Sequence, residues 1–352
     1  MADGQLIMFK LTFLGTSSGI PTKRRNVSAL AVELPASEQE TTNHRAPWLL
    51  IDCGEGTQHQ LMYTKLRLSN LRAICITHVH GDHCYGLAGL LASLAMHGRT
   101  TALTIIAPKG VFALLDAYVA HTELRLSFAI ERIIVEHDQP TTLSLDNQTL
   151  NIKTTALSHR CPSYAFIIKQ AIHQHKLNID KLVSDNIPKH FWHQIFKTNL
   201  PHQPIRINNE SIIPNEYIEQ MDIKSKIVIA GDNDTPELLT DVIHDADALV
   251  HEATYTQAIL DKVLSRTGES SFDPQHSSAK MVTQFAQRVK LPNLILTHFS
   301  ARFAPFYEPD NPAPNMGHVA QEISQHYQGY CVCAEDFMSI LINDKNMKIM
   351  KK

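Results

Sequence analysis

Short apolar runs recur along this chain, and each ends in a polar or glycine-containing loop that is often followed by a helical pattern. In the first half these runs predict strands at residues 9–14, 48–51, 71–76, 103–107, 132–136, 141–145, 149–156 and 163–169. Residues 84–97 read as a largely buried helix, and a second helix is predicted to run through Val119. The alternation of strands with helices predicts an α/β architecture.

The second half of the chain repeats this rhythm. Its predicted strands and helices span residues 226–230, 248–250 and 294–296, and residues 236–244, 256–265 and 277–289, respectively. Because no proline- or serine-rich linker separates the halves, we expect residues 1–352 to form a single layered domain. Residues 170–225 carry few strand signals and interrupt the rhythm, so we predict an inserted arm there.

The composition is that of an ordinary globular protein, with 352 residues of which 43% are hydrophobic and 19% are charged. The longest nearly uncharged stretch, residues 84–98, is too short to cross a bilayer, and the first residues lack the pattern of a signal peptide. The six cysteines are sparse and mostly lie in apolar runs, which is typical of reduced, buried thiols. These features predict a cytoplasmic protein without a membrane partner.

The strongest chemical signal is the segment from Thr77 to His83, in which three histidines and an aspartate fall within six residues. The segment lies directly after a predicted strand and before a predicted helix, where a loop can fold several ligands around metal ions. Imidazole nitrogen and carboxylate oxygen both suit zinc. A lone loop histidine is usually only a solvated side chain, but close packing of four ionisable groups has no structural benefit. We therefore interpret the cluster as a metal site.

Further donors follow other predicted strands, because His159, Asp232 and His298 each come after the end of an apolar run. Each of them alone could be a loop residue that caps its strand. Open α/β sheets build their sites at the ends of strands, so we expect seven donors to meet at one edge. A bridging aspartate with three donors for each of two ions would leave positions open for solvent, which is the arrangement of a two-metal hydrolase.

Residues 78–83 form the H-x-H-x-D-H motif of the metallo-β-lactamase superfamily. Further segments are similar to motifs of its ribonuclease Z branch, namely residues 13–21 with 25–28, 52–58, 251–255, 276–279 and 296–303. The first motif alone would indicate only the superfamily, but the full series occurs in the order of that family. The chain therefore resembles ribonuclease Z, the endonuclease that trims tRNA 3′ ends. The resemblance implies an α/β fold, the four-layer αβ/βα metallo-β-lactamase fold, with an inserted arm.

The resemblance also implies roles for individual residues. One zinc ion would be bound by His78, His80 and His159 and the other by Asp82, His83 and His298, with Asp232 as the bridge. Asp82 would also accept a proton, and His251 would donate to phosphate oxygens or to the leaving 3′ oxygen. Asp52 would orient a histidine, although a carboxylate that satisfies loop amides is an equal interpretation. The family usually has Gly-Asp-Thr where this chain has Gly-Asp-Asn-Asp-Thr, so Asp234 competes with Asp232 as the bridge.

Residues 169–206 carry six Lys and Arg against two acids, in a chain whose formal net charge is −3. Local positive charge with interleaved aromatic rings is what phosphate contacts and base stacking require, whereas a solvated helical arm with an apolar face is the competing interpretation. The ribonuclease Z family carries a tRNA-clamping arm at this position, but this segment lacks the Gly-Pro-rich pattern of that arm. The candidate RNA contacts are Lys189, Trp192 and Lys197 in the arm and Lys23, Arg24 and Arg25 in a second basic patch.

Together these features predict a zinc-dependent endoribonuclease that removes the 3′ trailer from precursor tRNA and leaves a 3′-hydroxyl. We expect two Zn²⁺ ions per chain and a homodimer, as in the family. The first alternative is a phosphodiesterase, arylsulfatase or lactonase of the same fold that acts on a small molecule. The second is a catalytically silent RNA-binding protein, but such a protein should lose metal ligands, and all seven candidates are present.

Overall fold

The computed structural model describes residues 9–34, 46–135, 141–145, 148–197, 202–207, 210–265, 273–343 and 346–350. The chain divides into two compact units. The first contains Met1–Lys169 together with Ser225–Lys352, and the second contains Gln170–Lys224. The second unit covers the segment in which the sequence predicts an inserted arm.

Strands and helices alternate along most of the described chain. The strands are β1 (Phe9–Gly15), β2 (Ser17–Ser18), β3 (Ala29–Glu33), β4 (Trp48–Ile51), β5 (Leu71–Cys75), β6 (Leu103–Ala107), β7 (Ile130–Ile134), β8 (Thr141–Leu145), β9 (Gln148–Leu157), β10 (Ser163–Leu177), β11 (Ile205–Ile207), β12 (Glu210–Ile212), β13 (Ile218–Ala230), β14 (Ala248–Glu252), β15 (Asn293–Thr297), β16 (Phe299–Ser300), β17 (Tyr330–Cys333), β18 (Ser339–Asn343) and β19 (Asn346–Ile349). The helices are α1 (Thr57–Leu61), α2 (Gly81–Cys84), α3 (Leu87–Met96), α4 (Lys109–Thr122), α5 (Ile179–Ser184), α6 (Lys189–Lys197), α7 (Thr240–Ile243), α8 (Gln257–Leu264), α9 (Ala279–Arg288) and α10 (Met316–His326). Short 3₁₀ segments lie at Leu68–Asn70, Pro214–Tyr217 and Pro236–Leu239.

The strands form two large mixed sheets. In the described part of the chain the first sheet has eight strands in the order β19-β18-β1-β3-β4-β5-β6-β7, and the second has seven in the order β17-β15-β14-β13-β10-β9-β8. Strands β4 to β7 run parallel in the first sheet, and β13, β14, β15 and β17 run parallel in the second. The carboxyl ends of parallel neighbours meet at one edge, so the loops that follow them can share a site.

Each sheet has helices on one face and the other sheet on its second face. Trp48 and Leu50 of β4 belong to the apolar cluster that contains α3 and α4, and Leu249 of β14 belongs to the cluster that contains α9 and α10. The residues next to them in the strands, Ile51 and Val250, line one small cavity between the sheets. Side chains alternate along a strand, so both faces of these strands are buried, as their continuous apolar runs predict. The predicted four-layer fold class is confirmed.

The helix predicted over residues 84–97 is interrupted, because α2 ends at Cys84 and α3 begins at Leu87. Gly86 lies at the break, where its N–H donates to the carbonyl of Cys53 at 2.9 Å. A Cβ atom at this position would lie 2.1 Å from the carbonyl oxygen of Gly54. The close approach of the loop after β4 therefore separates the short helix that carries Asp82 from the longer buried helix.

The expectation of few strands in residues 170–225 is corrected. Strand β10 continues to Leu177 and β13 begins at Ile218, so two strands of the second sheet extend into this segment. Their added residues mix polar and apolar types, and the propensity of a segment for a strand depends on the neighbours with which it pairs as well as on its composition. Between these strands the second unit has its own apolar cluster, formed by Leu182, Ile187, Ile195, Ile207, Ile212 and Tyr217. No helix in the described residues is long and apolar enough to span a membrane.

Candidate metal centre

Strand ends from both sheets bring polar side chains to one edge of the first unit. The loops or last residues of β4, β5, β9, β13, β14 and β15 supply Asp52, His78, His159, Asp232, Glu252 and His298. Helix α2, which starts at Gly81, supplies Asp82 and His83. The edge predicted from the sequence is thus where these side chains meet.

The first group of donors contains His78, His80 and His159, with their ligand atoms within 4.8 Å of one another. Nδ1 of His80 lies 3.1 Å from Nε2 of His159. The sulfur of Cys161 belongs to the same group and lies 3.7 Å from Nε2 of His80. The sequence interpretation of Cys161 as one more buried thiol missed this contact, although its position two residues after His159 was a usable signal.

The second group contains Asp82, His83 and His298. Nε2 of His83 lies 3.2 Å from Nε2 of His298, and Oδ2 of Asp82 lies 3.5 Å and 3.3 Å from these two nitrogens. The N–H of Gly19, in the loop after β2, donates to the same oxygen at 2.7 Å. Burial acts to raise the pKa of Asp82, but His83 and His298 lower it well below its usual range, so this carboxylate is ionised.

Asp232 lies between the two groups and is 3% exposed. Its Oδ1 is 3.4 Å from Nε2 of both His83 and His298. Its Oδ2 is 3.6 Å from Nε2 of His78 and 3.8 Å from Nε2 of His159. Each carboxylate oxygen therefore faces a different group.

The competing aspartate is directed elsewhere. Oδ1 of Asp234 accepts a hydrogen bond from Oγ1 of Thr235 at 2.7 Å. Among the described residues, Asp234 is in none of the donor groups that could hold a metal ion. The structure thus brings Asp232, and not Asp234, to the histidines.

Asp52 orients two histidines of the centre, His83 directly and His78 through Thr77. Its Oδ2 accepts hydrogen bonds from Nδ1 of His83 at 2.7 Å and from Oγ1 of Thr77 at 3.0 Å, and its Oδ1 accepts one from the N–H of Thr77 at 2.7 Å. The hydroxyl of Thr77 in turn lies 3.0 Å from Nδ1 of His78. With Nδ1 protonated, each ring presents the lone pair of Nε2 to the centre. Asp52 thus holds both a loop amide and a histidine, which joins the two interpretations left open by the sequence.

Two further histidines are oriented in the same way. Nδ1 of His159 donates to the carbonyl of Gln275 at 2.8 Å, and Nδ1 of His298 lies 2.9 Å from Oγ1 of Thr254. His298 has a φ of 58°, a left-handed backbone conformation that is uncommon outside glycine. Local strain of this kind is kept where the surrounding contacts fix it, as at functional sites.

The donor set fits a pair of cations. Nε2 of His78 is buried and has no hydrogen-bond partner among the described residues, and ring nitrogens of two histidines face each other within both groups. Burial lowers the pKa of His78 well below its usual value and the pKa of His80 to about 4, so both rings are neutral, as ligands must be. Burial also acts to lower the pKa of His83, but Asp232 and the other carboxylates raise it well above its usual value. The carboxylates around His83 therefore make the centre attractive to positive charge. A set of imidazole nitrogen and carboxylate oxygen donors suits zinc.

His276 and Glu252 also lie at this centre, although the sequence interpretation gave them no role. Nδ1 of His276 donates to Oε1 of Glu252 at 3.0 Å and lies 3.7 Å from Oδ2 of Asp232. Burial acts to lower the pKa of His276, but Glu252 and Asp232 raise it to about 9. The sequence carried one signal for this pair, because both residues belong to motifs of the resembled family.

The expected contact of His251 with substrate is corrected. The side chain is fully buried, its Nδ1 donates to the carbonyl of Glu252 at 2.8 Å, and its Nε2 lies 3.1 Å from Nδ2 of Asn233. Both ring nitrogens are therefore engaged inside the protein. His251 stabilises the loop that carries Asp232 and has no free atom to offer a phosphate.

The basic patch near residue 24 also differs from the expectation. Lys23 and Arg24 are exposed and line a cavity with Phe303. Arg25 is only 7% exposed, and its guanidinium donates to the carbonyl of Phe303 and contacts the sulfur of Met316 at 3.4 Å. Arg25 is therefore a structural residue and is removed from the candidate RNA contacts.

The candidate residues of the arm differ in accessibility. Lys189 and Lys197, in α6, are exposed. Trp192 is half-buried against the apolar cluster of the second unit, and its indole N–H donates to the carbonyl of Ile187 at 2.9 Å. The ammonium of Lys189 lies 5.8 Å from the centre of the indole ring. Part of the Trp192 surface thus belongs to the core of the arm.

Comparison with known proteins identifies relatives over almost the whole chain. Ribonuclease Z from Marinobacter nauticus is 41% identical over 330 residues, which cover 93% of this chain and 94% of that protein. Ribonuclease Z from Pseudomonas putida is 40% identical over 329 residues, with coverage of 93% and 94%. The crystal structure of human tRNase Z, short form, shares the fold with a TM-score of 0.59 at 24% identity, covering 94% of this chain and 98% of that one. The model of the family described as anti-Pycsar protein Apyc1 matches residues 9–196, so this part of the chain belongs to that family too. With identity of this extent and the donors of both groups in place, the chain belongs to the ribonuclease Z family.

Proposed function

We propose that this chain is a zinc-dependent endoribonuclease that removes the 3′ trailer from precursor tRNA and leaves a tRNA 3′-hydroxyl. The observation that carries the proposal is the position of Asp232, whose two oxygens face two separate groups of donors at 3.4–3.8 Å. The named function of relatives that are about 40% identical along the chain supports the substrate.

Two zinc ions would be held by the residues predicted for them: His78, His80 and His159 for one, Asp82, His83 and His298 for the other, and Asp232 for both. When bound, such ions supply Lewis acidity toward a phosphodiester and lower the pKa of nearby water. Asp82 is ionised and its Oδ2 accepts a hydrogen bond from the N–H of Gly19, so Oδ1 is the oxygen that we propose as the proton acceptor. The chain thus provides the base beside the ligands.

The proton donor to the leaving oxygen is assigned to His276 instead of His251. Glu252 holds Nδ1 of His276 at 3.0 Å, so Nε2 is the atom from which a proton can be given away. Thr254 links the same carboxylate to the second donor group, because its hydroxyl donates to Glu252 and lies 2.9 Å from Nδ1 of His298. One buried carboxylate therefore positions both a donor and a ligand.

The second unit, residues 170–224, is the part of the chain proposed to bind the body of the tRNA. Lys189 and Lys197 supply exposed positive charge on α6, and each phosphate contact would release counterions. The exposed basic residues Lys23 and Arg24 form a second contact. The partly buried Trp192 contributes mainly to the core of the arm.

The chain is further proposed to act as a homodimer in the cytoplasm. Large apolar side chains are exposed around α1 to α3, with Met62 at 78%, Tyr63 at 66%, Tyr85 at 58% and Met96 at 87%. Exposed apolar side chains of this size would be covered in a subunit interface. Light scattering of the purified protein should give twice the mass of one chain, and Tyr63→Glu with Met96→Glu should give a monomer. An unchanged single-chain mass for the wild-type protein would contradict the proposal.

The decisive experiment is cleavage of a 3′-extended tRNA transcript by metal-depleted and zinc-restored protein. We expect activity only after zinc is restored, two zinc ions per chain by elemental analysis, and loss of both activity and zinc in His80→Ala. Hydrolysis of bis(p-nitrophenyl) phosphate without tRNA cleavage would instead identify a small-molecule phosphodiesterase. Binding of tRNA without any hydrolysis would identify a silent RNA-binding protein, and an active protein free of metal would end the zinc mechanism.

A further inference from the structure

Four histidines of the centre share one feature, a contact with an oxygen atom at the ring nitrogen that points away from the centre. The ring nitrogens of His78, His83, His159 and His298 that point away from the centre each lie 2.7–3.0 Å from an oxygen atom of a hydroxyl, a carboxylate or a backbone carbonyl. Such contacts fix the tautomer and the angle of each ring. His80 is the member of the set whose outer partner is different.

His80 presents its Nδ1 to the centre, 3.1 Å from Nε2 of His159. Its Nε2 therefore points outward, and the atom in contact there is the sulfur of Cys161 at 3.7 Å. Cys161 is half-buried and free, on the loop between β9 and β10 that also carries His159. The contact length is that of a hydrogen bond to sulfur, which is a weaker acceptor than oxygen.

A second observation connects this contact with ligand binding. The unpartnered, fully buried Nε2 of His78 lies in the same group as the ligand atoms of His80 and His159 and the Cys161 sulfur. The group therefore contains a buried ligand atom that lacks a hydrogen-bond partner among the described residues, and a bound cation would supply that partner. The angle of the His80 ring decides whether its Nδ1 can complete that group.

We propose that Cys161 is a positioning residue, whose sulfur accepts a hydrogen bond from Nε2–H of His80 and so directs Nδ1 of His80 toward the zinc ion shared with His78 and His159. The inference rests on the proposed metal centre. No bond is made or broken in this role, and the thiol keeps its proton.

The test is the zinc affinity of the full-length protein, measured by competition with a chromophoric chelator. Loss of the partner behind a ligand histidine lowers metal affinity by roughly 10–100-fold, and we expect Cys161→Ala to lie near the lower end because sulfur is a weak acceptor. Cys161→Ser retains an acceptor and should bind zinc more tightly than the alanine variant. Cys331→Ala is the matched control, because Cys331 is a half-buried free thiol on β17 and should leave the affinity unchanged.

Cobalt spectra separate positioning from direct binding. With one Co²⁺ added to the metal-depleted wild-type protein, we expect d–d bands without a thiolate-to-cobalt charge-transfer band. A strong charge-transfer band that disappears in Cys161→Ser would overturn the proposal, because the sulfur would then be a ligand. Equal zinc affinity in Cys161→Ala and wild type would also overturn it. Failure of the wild-type protein to bind zinc or cobalt at all would refute the proposed metal centre itself.

Discussion

Replacement of Asp52 by asparagine tests how strongly the orientation of one histidine controls the metal centre. The Asp52 carboxylate is 6% exposed and accepts three hydrogen bonds, two from Thr77 and one from His83. The backbone of Asp52 has a φ of 59°, a left-handed conformation that asparagine tolerates better than most residues do. Asp52→Asn therefore keeps the volume and the backbone, and it exchanges one acceptor oxygen for an NH₂ group.

Either orientation of the new amide removes an acceptor: NH₂ in place of Oδ2 faces Nδ1 of His83 and the hydroxyl of Thr77, and NH₂ in place of Oδ1 faces the N–H of Thr77. If NH₂ faces His83, the ring must move its proton from Nδ1 to Nε2, the atom that lies 3.4 Å from Oδ1 of Asp232 and should bind zinc. Disruption of such a contact lowers metal affinity by roughly 10–100-fold, which corresponds to about 1.4–2.7 kcal/mol. If NH₂ instead takes the place of Oδ1, the buried backbone N–H of Thr77 loses its acceptor. This loss costs about 1–3 kcal/mol in the free energy of unfolding.

Two measurements on the same variant distinguish these outcomes. Chelator competition gives the zinc affinity, and urea unfolding of the metal-depleted protein gives the stability. Glu55→Gln is the control, because Glu55 lies in the same loop but is exposed. If Asp52→Asn matched the wild type in both measurements, the hydrogen bonds of Asp52 would contribute nothing to the centre, and the argument from orientation would be refuted.

Three further predictions follow from the same geometry. Asp232→Ala should abolish tRNA cleavage and lower the zinc content, whereas Asp234→Ala should keep most of both; the opposite ranking in elemental analysis and cleavage assays would move the bridge to Asp234. His276→Ala should lower kcat by about 10²–10⁴-fold with zinc still bound, while His251→Ala should mainly lower the unfolding temperature. A folded His251→Ala protein with the larger loss of kcat would show that His251 is the proton donor. Replacing residues 178–217 by a short linker should weaken tRNA binding and reduce the dependence of the affinity on salt concentration. Hydrolysis of bis(p-nitrophenyl) phosphate should be unaffected. Unchanged tRNA affinity would show that the arm does not bind tRNA.

The sequence determined the fold class and the residues that meet at the candidate metal centre, because both depend on the order of residues along single strands and the loops that follow them. Strands such as β4 and β6 are buried on both faces and read as continuous apolar runs, and their observed bounds, Trp48–Ile51 and Leu103–Ala107, equal the predicted ones. Asp232 and His298 were found because the end of a strand is visible in the sequence. The placement of such ends at one edge is a general property of parallel sheets.

Tertiary structure decided the features that depend on which way a side chain points. His251 and Glu252 are neighbours at the end of β14, and because side chains alternate along a strand only one of them can face the centre. The burial of β14 on both faces removes the polar alternation that would have shown which one. Arg25 was misassigned for a related reason, since its partners Phe303 and Met316 are distant in sequence. The contact between Cys161 and His80 likewise joins residues 81 positions apart. Contacts of this range exist only after the two sheets have packed, so no local pattern can encode them.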